Sequence, residues 1–359
     1  MRAAVLHSVP GELVIEDVSV DKPGRREVLV RTAAAGLCHS DLHIIEGKYP
    51  YLAPVVMGHE SAGVVEAVGD DVIHVQPGDH VITCLSVFCG HCEYCLSGRP
   101  SLCQAPERNR GEAEPPRLSQ GDTAVGQFIN CGSFAEQMLV HENAVVKVRE
   151  EMPLDRAALI GCGVTTGLGA VFRTARIEPG SIVAVLGCGG IGLNCVQGAA
   201  IAGAGRIIAV DLNETKLKMA EQFGATDLVN AGAGDPIAQV RELSGGGVHY
   251  SFEAIGLKQT AEQSFSMLRS GGTATIIGMI PFGVSIELHG VEFLGEKRIQ
   301  GSNMGSNRFR IDMPRYIDMY LDGRLKLDEL VSARIGLDDV NDGFEAMKRG
   351  EVARSVIVF

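Results

Sequence analysis

The chain has 359 residues, a formal net charge of −12, 45 glycines and no tryptophan. That length exceeds one ordinary hydrophobic core and points to two domains, while glycine without a period excludes collagen and linker readings. The acidic balance is spread along the sequence, so nucleic acid and a membrane surface are not expected partners. Residues 1–9 show no basic stretch leading into an apolar run and a small-residue cleavage site. No apolar run reaches the roughly 18 to 20 residues of a membrane helix. A cytoplasmic protein is expected, and its ten cysteines are then better explained as metal ligands, a catalytic residue or core fillers than as disulfides.

Up to about residue 163 the sequence consists of short β-rich runs, among them 27–31, 61–68 and 80–83, punctuated by Gly and Pro. That is the pattern of a barrel-like β domain. Residues 105–123 are charged, Pro-rich and aperiodic, as a surface loop is. From residue 181 strands and helices alternate: strand 181–186, helix 191–202, strand 206–210, helix 214–223 stopped at Gly224, strand 250–253, a helix ending near 268, and strand 273–277. An α/β fold with a doubly wound sheet follows. After residue 299 come helices 312–321 and 338–349 and a terminal apolar strand, 355–359.

Gly187-Cys188-Gly189-Gly190-Ile191-Gly192 follows the first of these strands and opens a helix. In that context the pattern is a dinucleotide fingerprint. Gly187 would make the tight turn, Gly189 would let the backbone approach a pyrophosphate, and Gly192 would let helix pack on strand, with the helix N-terminus offering amides and a positive dipole. Asp211 ends the next strand, about 20 residues on, where an acid accepts hydrogen bonds from the adenosine ribose hydroxyls. It would repel a 2′-phosphate, and Leu212 and Asn213 bring no arginine to receive one, so NAD is expected over NADP. Lys216 could help hold the ribose. The alternative for Asp211 is a helix N-cap.

Cys89-x-x-Cys92-x-x-Cys95 followed by Cys103 packs four thiols into one turn-rich segment. Its spacing indicates a closed, structural four-thiolate zinc site, with incidental cysteines or an iron–sulfur cluster as alternatives. Cys38, His59 and Cys162 are scattered, and sequence distance alone does not assemble them. Each taken separately reads as a buried cysteine or a satisfied histidine. Cys84, Cys131, Cys188 and Cys195 read as core or turn residues.

With the fingerprint, the four-cysteine segment and Gly58-His59-Glu60 in this order, the chain resembles the zinc-containing medium-chain alcohol dehydrogenases, in a bacterial, class III-like branch. Further matching motifs are Cys38-His39-Ser40-Asp41, Gly58-His59-Glu60-x-x-Gly63, Pro77-Gly78-Asp79-His80-Val81 and Gly161-Cys162-Gly163-Val164-Thr165-Thr166-Gly167. The resemblance implies a GroES-like β-barrel catalytic domain, 1–163 and 299–359, interrupted by a Rossmann NAD-binding domain, 164–298, with the active site in the cleft between them. It implies two zinc ions per chain and NAD. The two-cysteine, one-histidine catalytic zinc known for this family carries over to Cys38, His59 and Cys162. Ser40 and His43 then form the proton relay, Asp41 orients His59, and Glu60 stands behind the metal. His39 and Arg354 match pyrophosphate contacts, Thr166 matches a nicotinamide contact, and Gly190 and Ile191 lie in the coenzyme loop. Tyr49, Leu85 and Phe128 match lining positions of a largely apolar substrate pocket.

The resemblance implies a homodimer or homotetramer that oxidises primary alcohols, aliphatic, allylic or benzylic. A rival activity is oxidation of the S-hydroxymethyl adduct of a thiol. Against it, class III enzymes carry an acid where Tyr49 stands, although the charges of residues 107–110 leave room for another thiol. Polyol dehydrogenases usually have Glu where Cys162 is found. A non-catalytic NAD- and zinc-binding protein of the same fold would not need the intact ligands.

Overall fold

The structure, a computed structural model, describes residues 1–105, 109–111, 113–350 and 354–359. Glu107 and Arg108, two of the charges considered for a thiol, lie outside the described residues. The chain forms two units, one of residues 1–163 with 308–359 and one of residues 164–307. The return to the first unit therefore comes at 308, not at 299. The reason is the strand Arg298–Gly301, which pairs in parallel with Leu268–Ile276 and so extends the second unit's sheet.

In the first unit one sheet has the strand order Leu13–Asp17, Arg2–Leu6, Val55–Val56, Thr123–Gln127, Leu118–Gln120, Ser19–Val20. The other is built on the valine- and alanine-rich strand Glu27–Gly36, flanked by Glu60–Val68 and Arg354–Val358, with Gln137–His141 also paired to it. Valines facing inward, Val28, Val30, Val65, Val81 and Val140, are fully or almost fully buried in one cluster. Register matters most at one end of this sheet. Gly36 pairs with Glu60 on one side and with Val356 on the other. Cys38 follows one of these strands, His59 precedes the next, and Arg354 begins the third, so three distant stretches of sequence meet at one edge.

The second unit's six strands are all parallel, in the order Asp227–Asn230, Arg206–Asp211, Ile182–Leu186, Val248–Glu253, Leu268–Ile276, Arg298–Gly301. This is the doubly wound order, with its switch point beside the first strand. The helix Gly190–Ile201 is apolar nearly all round because it is buried on most sides. Besides the strand Arg298–Gly301, two further elements of this sheet and its cover escaped the sequence reading. Asp227–Asn230 is a short edge strand with polar ends, and Pro236–Leu243 is a helix whose Asp235 side chain accepts from the Ile237 amide with Pro at the first turn, a start signal present in the sequence. Contrary to the expectation from sequence, one helical run, Leu154–Ala175, is long and apolar enough to cross a membrane, but 83% of its apolar stretch is buried in the protein, as in a core helix.

Candidate active site

The sulfur atoms of Cys38 and Cys162 are 4.0 Å apart, and Cys162 Sγ is 3.3 Å from His59 Nε2. All three donor atoms lie within 4.8 Å of one another and all three residues are buried. With Zn–S about 2.3 Å and Zn–N about 2.0 Å, a tetrahedral ion needs its sulfurs ~3.8 Å apart and sulfur to nitrogen ~3.5 Å, so the donor set fits zinc. Local structure explains each placement. Cys38 is the N-cap of the helix His39–Ile45 in extended backbone. Cys162 stands in a π-helical turn, Ile160–Val164, the kind of irregularity that recurs at functional sites. Hydrogen bonding from Cys162, and the nearby Arg354 cation, hold the Cys38 thiol well below its usual range, while Cys162 is pushed well above.

Asp41, fully buried, serves both ends of this site. Its Oδ1 is 3.2 Å from His59 Nδ1 and accepts from the Gly58 amide, and its Oδ2 accepts from the Cys38 amide. The carboxylate thus fixes the ring of one ligand and the backbone of another, more than its expected role. Glu60 accepts from the Gly163 amide, and its other oxygen has no hydrogen-bond partner. Burial raises its pKa to about 7 against the pull of Arg354. Arg354, itself buried, donates to the Leu37 carbonyl and comes within 4.0 Å of Glu60. A Cβ at Gly163 would lie 2.5 Å from its guanidinium, so glycine beside the ligand is a packing requirement. The pairing of Arg354 with Glu60 was not anticipated from sequence, because it depends on the strands of both residues flanking Glu27–Gly36.

Ser40 Oγ lies 3.7 Å from Cys38 Sγ. His43 is half-buried in the same helix, its Nδ1 without a hydrogen-bond partner, and its ring stacks on Tyr49 at 6.0 Å between centroids. Burial, with the nearby Lys48 cation, lowers its pKa. Phe128 is buried edge-on against the His59 ring, 5.5 Å between centroids. Leu85 is half-buried just past the strand His80–Thr83, and His39 is exposed at the helix start. Tyr51, not singled out in the sequence, packs edge-on against Phe128 at 5.1 Å.

The second thiol cluster is equally well formed. Cys92 Sγ is 3.5 Å from Cys95 and 3.8 Å from Cys103, Cys89 Sγ is 3.9 Å from Cys95, and all four sulfurs lie within 4.8 Å. The amides of His91 and Cys92 donate to Cys89, and that of Cys89 to Cys103. Four thiolates aimed at one point leave no open position, which suits a structural zinc. Cys84, Cys131, Cys188 and Cys195 are buried, and burial raises their thiols, Cys84 to about 11.

In the second unit, Gly189 caps the helix Gly190–Ile201 and the space beside its Cα is open, while a Cβ on Gly192 would strike the Gly187 carbonyl at 1.7 Å. Asp211 accepts from the Cys188 and Asn213 amides at the end of its strand. Asn213, not Asp211, caps the next helix, accepting from the Thr215 and Lys216 amides. Lys216 is half-buried in that helix, Ile191 follows its first residue Gly190 in the fingerprint helix, and Thr166 is buried with its hydroxyl 3.3 Å from Met304 sulfur.

A parallel doubly wound sheet with this glycine turn, a buried three-donor site and a four-thiol lobe define a zinc-containing, dinucleotide-linked dehydrogenase. Residues 24–150 match the alcohol dehydrogenase GroES-like domain and residues 190–321 match the zinc-binding dehydrogenase family. Over its whole length the chain is 38% identical to S-(hydroxymethyl)glutathione dehydrogenase of Paracoccus denitrificans, covering 99% of that protein. It superposes with a TM-score of 0.94 on an alcohol dehydrogenase zinc-binding domain protein from Burkholderia ambifaria (34% identity, 100% and 98% covered). A benzyl alcohol dehydrogenase from Acinetobacter calcoaceticus gives the same score at 31% identity, with 100% and 99% covered. The chain belongs to the zinc-dependent medium-chain alcohol dehydrogenases, for which zinc and NAD are the typical cofactors.

Proposed function

We propose that this enzyme is an NAD-linked alcohol dehydrogenase that oxidises primary alcohols, aliphatic, allylic or benzylic, to aldehydes. The observation that carries the reading is the cluster of Cys38, His59 and Cys162, three donors on one point, which would hold zinc with a fourth position free for an alcohol. Zinc there supplies the Lewis acid that makes an alcohol's oxygen acidic and steadies its charge, and NAD supplies the hydride acceptor. The protein's own task is positioning and proton removal. Asp41 keeps the His59 ring oriented, and Ser40, beside Cys38, accepts the alcohol proton. His43, kept neutral by burial and by Lys48, receives it on the way to water. The carbinol carbon gives up hydride as its oxygen gives up the proton, leaving an aldehyde.

Tyr49, Leu85 and Phe128 make the lining largely apolar, and an apolar wall discriminates by only about 1 to 3 kcal/mol per methylene. The printed names of the curated relatives favour a second reading, oxidation of an S-hydroxymethyl thiol adduct. Asp211 at its strand end supports NAD over NADP. We also propose a homodimer or homotetramer: Arg298–Gly301 is an open sheet edge, with Phe282, Val291 and Leu294 exposed in the same unit. A monomer mass by light scattering would end that proposal. A spectrophotometric screen of alcohols with NAD and NADP, with and without glutathione, tests the activity. Turnover of free alcohols with NAD supports the main reading, and turnover only with formaldehyde plus a thiol replaces it with the second. His43→Gln should slow turnover most at low pH, and an unaltered pH profile would discard the relay.

A further inference from the structure

We propose that Tyr51 is a positioning residue that sets alcohol-size selectivity, by latching the turn that carries Phe128. This rests on the alcohol dehydrogenase reading above. Residues 128–131 form a tight turn in which Ile129 (φ 45°) and Asn130 (φ 61°) both have left-handed backbone. That conformation is costly for a β-branched residue and persists only where the surroundings hold it.

Two side chains do the holding. The Ile129 amide donates to the Tyr51 hydroxyl at 3.0 Å, and the Gln127 side-chain amide donates to the Cys131 and Leu139 carbonyls at 3.1 and 3.0 Å. Within the turn the Cys131 amide donates to the Phe128 carbonyl. Gln127 therefore fixes the turn from its far end, and Tyr51 fixes the residue next to Phe128. The Tyr51 ring adds a second contact, edge-on to Phe128 at 5.1 Å, and Phe128 in turn stands edge-on to the metal-site histidine His59 at 5.5 Å. Tyr51, Phe128 and Ile129 belong to one apolar cluster with Tyr49. Tyr51 thus acts on the ring that abuts His59 both through the adjoining Ile129 amide and through its own ring. Released, the turn would relax from its left-handed backbone and Phe128 would lose its fixed place beside His59. Phe128 is buried between Tyr51 and His59, so an alcohol held beside His59 would meet that ring only if it were bulky, and a small one would be unaffected.

Tyr51→Phe removes the hydroxyl and keeps the ring. Hydrogen exchange at the Ile129 amide should then accelerate roughly tenfold, and KM for benzyl alcohol should rise roughly threefold to tenfold relative to KM for ethanol, with kcat for ethanol unchanged. In a Phe128→Leu background the same substitution should no longer alter the KM ratio, because the two residues act as one unit. An unaltered exchange rate at Ile129 overturns the latch. Faster exchange with an unaltered KM ratio, or an effect of Tyr51→Phe that persists in full without the Phe128 ring, overturns its role in selectivity. Should no alcohol be oxidised by the unmodified enzyme, the activity reading fails, and the exchange rate still decides on the latch.

Discussion

The four-thiol lobe and the Cys38, His59, Cys162 site offer similar donors to a metal and are assembled in opposite ways. The lobe's ligands all come from residues 89–103, a stretch whose only regular elements are the single turns Glu93–Leu96 and Pro100–Leu102. Its geometry depends on the metal that would hold it. The other site takes ligands from a helix cap, a strand entrance and a π-helical turn, and the pairing of Gly36 with Glu60 places the first two. One site would use zinc to make structure, and the other uses structure to present zinc.

The largest separation between the two should appear with Cys162→Ala. Loss of one of three ligands is expected to cut alcohol oxidation by roughly a thousandfold or more, with the thermal midpoint little altered. Full activity in this variant would break the three-ligand assignment. Cys103→Ser should do the reverse in kind, lowering the midpoint and the soluble yield first, since the lobe has little apolar core of its own. A smaller effect is expected of Asp41→Asn. It leaves all three ligands in place but weakens the hydrogen bonds that orient them, so zinc affinity by chelator competition should fall about 10- to 100-fold, and an unchanged affinity would remove Asp41 from the site.

The smallest effect concerns the segment that leaves the lobe. Glu27, buried, is bridged by Arg110 and Arg117. Burial opposes its charge, but these guanidiniums prevail and hold its pKa at about 2 against an ordinary 4.5. A carboxyl depressed on folding contributes stability that is complete above its unfolded pKa and is lost as pH falls through the folded one. Wild-type midpoints should therefore decline between about pH 4.5 and pH 2, and Glu27→Gln, already less stable at neutral pH, should show a shallower decline over that window. Parallel pH curves would contradict the assignment.

The same contrast explains what was legible in the sequence. Cys89 to Cys103 and Gly187 to Gly192 are local, so spacing alone identified their chemistry. Cys38, His59 and Cys162 required knowledge that Gly36 pairs with Glu60, a matter of register that no local pattern reveals, and only resemblance joined them. Arg354 beside Glu60 was hidden for the same reason, since the terminal strand pairs with a strand more than three hundred residues earlier. The Tyr51 contact was invisible because left-handed backbone at Ile129 has no sequence mark when the residue is not glycine. The return of the chain at 308 was misplaced because Arg298–Gly301 is a short edge strand without alternating apolar character.

The central claim is that a second, open zinc site exists at Cys38, His59 and Cys162 and carries the chemistry. Zinc stoichiometry of the purified wild-type protein and of Cys162→Ala, measured beside NAD reduction, tests it most directly. The account predicts two zinc ions per wild-type chain, and one in a folded variant that no longer reduces NAD. One zinc in the wild type, or two in a Cys162→Ala protein that still oxidises alcohols, would contradict it.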